Sequence, residues 1–180
     1  MNGGLHLTNT LSRKKEPFRS REAGTVKLFT CGPSTYSRAH VGNYRTFLYE
    51  DVLQRHLEYL GYHVERMIHF TDVEDKAIDE AQEQGIGLKD LTGPVEDRFF
   101  KEVDLLAIKL PEHIPRSSTS VDQAVHLIEI LLDKGYAYRH GKDIFFDSLK
   151  FEGFGKLYGL DMSRWPEKKR RFRKDTYPGP

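Results

Sequence analysis

Leu28-Phe29-Thr30-Cys31-Gly32-Pro33-Ser34-Thr35-Tyr36-Ser37-Arg38-Ala39-His40-Val41-Gly42-Asn43 is the stretch whose reading decides the fold. Val26 to Thr30 is a short apolar run of strand character, and Cys31-Gly32-Pro33 interrupts it. A polar loop then leads to His40-Val41-Gly42-Asn43, after which Tyr44 to Leu60 takes up helical spacing through Phe47, Leu48, Val52, Leu53, Leu57 and Leu60. Gly61 supplies the stop. Strand, loop and helix in this order predict a nucleotide site, because loop backbone and a helix N-terminus meet a phosphate beyond the carboxyl ends of parallel strands.

The residue types in the loop suit that use. Gly42 lacks a Cβ and lets a ligand approach the backbone closely, while His40 and Asn43 lie three apart and can both offer hydrogen-bond donors to phosphate oxygens. A loop histidine beside a glycine is also a common surface turn, so the tetrapeptide alone is a weak signal.

Further elements follow in order. Val64, Arg66, Ile68 and Phe70 alternate and predict the next parallel strand, with the Tyr44 to Leu60 helix as its crossover. Thr71 and Asp72 are expected to cap a helix that runs to about Gln84 and ends at Gly85. Val95, Phe99, Val103 and Leu106 predict a third helix ending before Pro111. A fourth has Ser120 and Gln123 as a capping box, with Val121, Ala124, Val125, Ile128, Leu131 and Leu132 as its buried stripe before Gly135. Tyr136 to Tyr138 and Asp143 to Phe146 predict a hairpin across His140-Gly141-Lys142. The first residues predict an edge strand near Leu5 to Thr10, then a turn. Residues 147 to 180 predict loop, a short helix near Asp161 to Lys168 and a frayed end. The fold class is α/β, and no internal repeat is present.

Composition bounds the function. With 180 residues, 38% apolar and 31% charged, the chain can bury one substantial core. No apolar run reaches the roughly 20 residues that span a bilayer, and the N-terminus has no signal-peptide core, so a cytoplasmic protein is expected. One cysteine, Cys31, excludes an internal disulfide and a cysteine-only metal cage. By residue statistics alone it is a small buried hydrophobe. The net charge of +1 hides a local excess. Arg164, Lys168, Lys169, Arg170, Arg171, Arg173 and Lys174 face only Glu167 and Asp175, a basic run that reads as a solvated face or as a contact for RNA backbone.

His40-Val41-Gly42-Asn43 resembles the His-Ile-Gly-His signature of class I aminoacyl-tRNA synthetases. Thr30-Cys31-Gly32-Pro33, Phe70-Thr71-Asp72-Val73-Glu74-Asp75-Lys76, the opening Leu7 to Phe18, Pro115-Arg116 and Gly135-Tyr136-Ala137-Tyr138 narrow the resemblance to the cysteinyl-tRNA synthetase family. It covers nearly the whole chain, and Asn43 departs from the family's commoner histidine.

The resemblance implies a Rossmann-like nucleotide-binding first half over residues 1–110, with a parallel sheet and flanking helices, and the start of an inserted connective domain over residues 111–180. It implies ATP with Mg2+ as substrate, His40 and Asn43 as catalytic phosphate contacts, and Gly32 and Gly42 beside the nucleotide. Cys31, Gly32, Thr71 and Asp72 would line the substrate cysteine, and Cys31 would be one ligand of a Zn2+ that favours sulfur over a hydroxyl. The partners it implies are cysteine, ATP and tRNA(Cys). Features of the complete enzymes are not present in these residues: the second half of the nucleotide fold, the other zinc ligands, the lysine-containing loop and the anticodon domain. Three readings stay open, namely the N-terminal portion of a cysteine–tRNA ligase, a cysteine–amino-sugar ligase of the mycothiol type, and a non-catalytic nucleotide- or RNA-binding relative.

Overall fold

In a computed structural model, which describes residues 4–164, β-branched and aromatic residues of two short runs pair in parallel. Strand β3 (Thr25–Thr30) lies beside β4 (His63–Ile68), in a register from Thr25 opposite His63 to Thr30 opposite Ile68. Helix α1 (Val41–Tyr59) is the crossover between them, as the periodicity predicts. Val64, Arg66 and Ile68 alternate inward along β4, and Phe70 beyond its end is fully buried.

A third extended segment completes the sheet. The His113 backbone donates to Arg66 O and its carbonyl accepts from Ile68 N, and Pro115 O accepts from Phe70 N. Residues 113 to 116 therefore run parallel along the free edge of β4. Pro111 and Pro115 break the apolar pattern there, so no strand is legible in the sequence.

The core around this sheet is aromatic. Phe99 of α3 (Leu88–Leu105) meets Phe47 of α1 and Phe70 edge-on, at ring centroid distances of 5.4 and 5.3 Å. Tyr44, Ile68, Val103 and Ile108 close the cluster.

The apolar stripe expected on α1 is only half right. Phe47 and Leu57 are buried, but Leu48, Val52 and Leu60 are exposed; the buried line is Tyr44, Phe47, Asp51, Gln54, Leu57. Two polar residues can occupy it because their hydrogen-bonding groups are satisfied. Asp51 accepts from Lys109 N at 2.8 Å, and Gln54 accepts from the buried Arg66 guanidinium at 3.3 Å.

Helix α2 (Asp75–Gln84) ends at Gly85 in the left-handed region, as expected, but Thr71 and Asp72 do not cap it. Glu74 is the N-cap residue, with extended backbone angles and no side-chain cap bond. The chain runs on from β4 for several residues before it turns, because Thr71 and Phe70 are still making sheet hydrogen bonds.

Backbone contacts divide the chain into two units, Ser20–Val121 and the residues up to Arg19 together with those from Asp122 onward. The division differs from the 1–110 and 111–180 partition that the resemblance implies. Residues 113 to 117 bond to β4, and the first hairpin belongs with the later residues. In that second unit β1 (His6–Asn9) and β2 (Lys14–Pro17) are antiparallel, and Arg13 takes a positive φ at the turn between them.

Helix α4 (Val121–Asp133) has none of the buried residues expected of its stripe: Val121, Val125 and Ile128 are exposed. Ser120 is not its capping-box residue either. It ends a 3-10 turn, Ser117–Ser120, and its hydroxyl donates to Arg116 O. Gly135, at φ 71°, terminates α4, and β5 (Ala137–His140) and β6 (Asp143–Phe146) form the expected hairpin, with Tyr138 stacked on Phe145. The short helix near Asp161 is a 3-10 turn, Met162–Arg164, and the basic run beyond it lies outside the described residues.

Candidate nucleotide site

The loop from Cys31 to Ala39 leaves β3 at its carboxyl end and returns to the sheet before entering α1. Its backbone is pinned to the end of β4: Thr71 N donates to Pro33 O at 3.1 Å, and Thr35 N donates to Thr71 O at the same distance. Gly32 makes this approach possible. A Cβ there would stand 1.9 Å from the carbonyl oxygen of His69, so no other residue fits without moving backbone.

Helix α1 begins three residues earlier than its apolar spacing predicts, so His40 is its N-cap and Val41, Gly42 and Asn43 form its first turn. His40 Nδ1 accepts a hydrogen bond from Gly42 N at 3.0 Å, and Asn43 Oδ1 accepts from His40 N at 3.0 Å. These reciprocal bonds are a capping box built from histidine and asparagine. They fix which atoms remain. With Nδ1 accepting, the neutral ring carries its proton on Nε2; with Oδ1 occupied, Asn43 keeps its Nδ2 amide group as donor. Both side chains are exposed at the N-terminus of a 19-residue helix, where partial positive charge accumulates.

Gly42 has a nearer use than the one its sequence suggests. A Cβ on it would stand 2.7 Å from Cε1 and 2.9 Å from Nδ1 of His40, so the missing methyl makes room for the histidine ring.

A cavity of about 430 Å3 opens here. Cys31, Gly32, His40 and Asn43 line it, with the hydroxyls of Ser34, Ser37 and Thr46 and the cations Arg38 and Lys76. An adjoining cavity of about 840 Å3 is larger, but Val41, Leu48, Val52, Leu105 and Leu106 make its wall apolar, so the polar chemistry belongs to the smaller one. Arg38 is held by Glu102 of α3, whose Oε1 accepts from its Nε at 3.0 Å and Nη2 at 2.6 Å. Arg38 lies in the loop that decides the fold and Lys76 closes the Phe70 to Lys76 motif, but the sequence assigns neither of them a role at the site.

Of the four substrate residues expected, two line this cavity, Cys31 and Gly32. Thr71 holds the loop through its backbone, while its hydroxyl lies 3.0 Å from His69 Nε2. Asp72 is buried and accepts from both the backbone N–H and the hydroxyl of Ser118, beside a separate cavity that Arg116 and Glu96 also line.

The Cys31 side chain is exposed, contrary to the buried hydrophobe its residue type suggests. Among the described residues no group of three or more His, Cys, Asp or Glu side chains could hold a metal ion. One thiolate does not make the three- or four-ligand set that zinc takes, so these residues do not fit the metal by themselves. Nor, among the described residues, is any helix long and apolar enough to cross a membrane.

Residues 17–176 match the profile of the tRNA synthetases class I (C) catalytic domain. The chain belongs to that family. Its mixed α/β fold with a parallel sheet is the class I synthetase catalytic fold in this chain. Similar family members include the cysteine–tRNA ligase of Methanosarcina mazei, 41% identical over 158 residues, and that of Clostridioides difficile, 43% identical over 155 residues. The cysteine–tRNA ligase of Staphylococcus carnosus is 40% identical over 153 residues. These alignments cover 88%, 86% and 85% of the chain, and it spans about a third of each relative's length, 33%.

Proposed function

We propose that this chain is the nucleotide-binding portion of a cysteine–tRNA ligase, which activates cysteine with ATP to cysteinyl adenylate and passes it to tRNA(Cys) in the cytoplasm. The observation that carries this reading is the His40–Asn43 capping box. It leaves two neutral donors, His40 Nε2–H and Asn43 Nδ2–H, at a helix N-terminus beside a polar cavity. In this reading residues 20–121 are a Rossmann-like first half, and the residues from Asp122 onward begin the connective insertion.

Activation joins the cysteine carboxylate to the ATP α-phosphate and releases pyrophosphate. Negative charge shifts along the phosphate chain during this step, and preorganised donors stabilise it without reorganising. In this role His40 and Asn43 act as hydrogen-bond donors, and neither has to take or give a proton. Gly32 and Cys31 face the same cavity and would stand at the amino-acid end of the ligand.

Isothermal titration of ATP into the purified chain and into His40→Ala tests this. Removing one such donor is expected to weaken ATP binding by a few kcal/mol at most. ATP affinity equal in the two proteins would remove His40 from the site. The chain on its own is not expected to charge tRNA(Cys), because charging needs more than one cavity of donors. Turnover around 1 per second or faster with ATP, cysteine and tRNA would overturn that expectation.

A further inference from the structure

We propose that Lys76 supplies the cation that meets the phosphate chain in this cavity. The inference rests on the nucleotide reading above and goes beyond it, since neither the motif nor the helix cap assigns Lys76 a role.

Lys76 is the second residue of α2, where a cation opposes the positive end of the helix dipole. Local rules favour an acidic residue at such a place, and Asp75 beside it obeys them. Departures from local preference concentrate where function outweighs them. The neighbourhood gives a reason for this one. The Lys76 ammonium stands 5.4 Å from the centroid of the Tyr36 ring, a cation–π contact that leaves its three donors free of any carboxylate within ion-pairing distance among the described residues.

The rest of the wall agrees. No carboxylate lines this cavity among the described residues, and Lys76 makes no ion pair among them. Arg38, the other cation, is already tied to Glu102. The free positive charge therefore belongs to Lys76, on the same cavity as the His40 and Asn43 donors. A compact, mobile ammonium with three donors suits a polyphosphate, which offers several oxygens along its length.

The test uses Lys76→Met, which keeps the apolar stem over Tyr36, and Lys76→Arg, which keeps the charge. Calorimetry with ATP, tripolyphosphate, adenosine and free cysteine is run on each variant, alongside thermal melting. Loss of one charge-assisted bond predicts that Lys76→Met binds ATP and tripolyphosphate about tenfold more weakly or worse. Adenosine binding and melting temperature should not change, and Lys76→Arg should recover most of the affinity. ATP affinity unchanged in Lys76→Met, while the unaltered chain binds ATP, overturns the role of Lys76 and leaves the nucleotide reading intact. Loss of cysteine affinity in place of ATP affinity assigns the cation to a carboxylate and overturns the phosphate assignment. Loss of adenosine binding or of melting temperature to the same degree makes Lys76 a packing residue. If the unaltered chain binds neither ATP nor tripolyphosphate, the nucleotide reading falls and the proposal falls with it.

Discussion

The Tyr44 hydroxyl donates a 2.6 Å hydrogen bond to Glu102 Oε2, and this bond ties the first turns of α1 to α3 directly behind the His40 cap. The other oxygen of Glu102 takes Arg38 from the loop and Arg98 from its own helix. One carboxylate thus holds both ends of the segment that carries the candidate phosphate donors. Its environment reflects the load. The Tyr44 hydrogen bond first, then Arg98 and Arg38, bring the Glu102 carboxyl down to about 2, while burial and the same bond push Tyr44 well up.

The pH dependence follows from the sign of that shift. Glu102 titrates lower in the folded chain than its ordinary 4.5, so the unfolded chain binds more protons between the two values. Its contribution is complete above the ordinary value and is lost as pH falls from there toward about 2. Urea midpoints of the unaltered chain should fall across that window, and those of Glu102→Gln should fall less steeply. Parallel curves for the two proteins would show that Glu102 is not the group that titrates. Glu50 opposes the trend, since burial raises its carboxyl despite Arg66.

Burial of Arg66 makes a second prediction. Its guanidinium is 1% exposed and is paired with Glu50 Oε2 at 3.1 Å, with Gln54 as a further acceptor. Glu50→Ala leaves a buried charge without its counter-ion and should cost about 3–5 kcal/mol in denaturant unfolding. Replacing both partners, as Glu50→Leu with Arg66→Met, should recover most of that loss. A double variant as unstable as the single one would mean that the pair is more than a matched burial.

Much of this was legible beforehand, and the exceptions have physical causes. Strands β3 and β4, the α1 crossover and the β5–β6 hairpin follow from spacing and turn residues, because local preference and tertiary use coincide there. The 113–116 edge segment was not legible, since prolines hide it and its partners lie some 45 residues away. The α4 stripe was legible as amphipathic but not as exposed; periodicity shows that a face is apolar and cannot show what lies against it. At the candidate site, the motif singles out His40 and Asn43. Their reciprocal capping, and the close approach of Gly32 to His69 and of Gly42 to the His40 ring, are three-dimensional contacts that residue spacing does not encode.

Gly32→Ala tests the close approach of loop and sheet. The added methyl would overlap the His69 carbonyl, which is backbone and cannot rotate aside. The expected cost is about 1–3 kcal/mol or more, typical of forced overpacking, and would appear as a lower urea midpoint. A variant as stable as the parent would mean that loop 31–35 shifts freely, and the cavity wall could not then be rigid.

Gly42→Ala separates stability from binding. The position is helical, with no positive φ, so alanine gains about 0.5–1 kcal/mol of helix preference there. The methyl would also displace the His40 ring and with it a cap bond worth about 1 kcal/mol. These effects nearly cancel, so the melting temperature should scarcely move. ATP affinity should fall, because Nε2 no longer points where the cap held it. A double-mutant cycle with His40→Ala then decides how Gly42 acts. If it acts through the ring, adding Gly42→Ala to His40→Ala costs no further affinity. If the ligand itself lies against the Gly42 backbone, the second substitution weakens binding again by its full single-variant factor, and the reading of Gly42 as space for His40 fails.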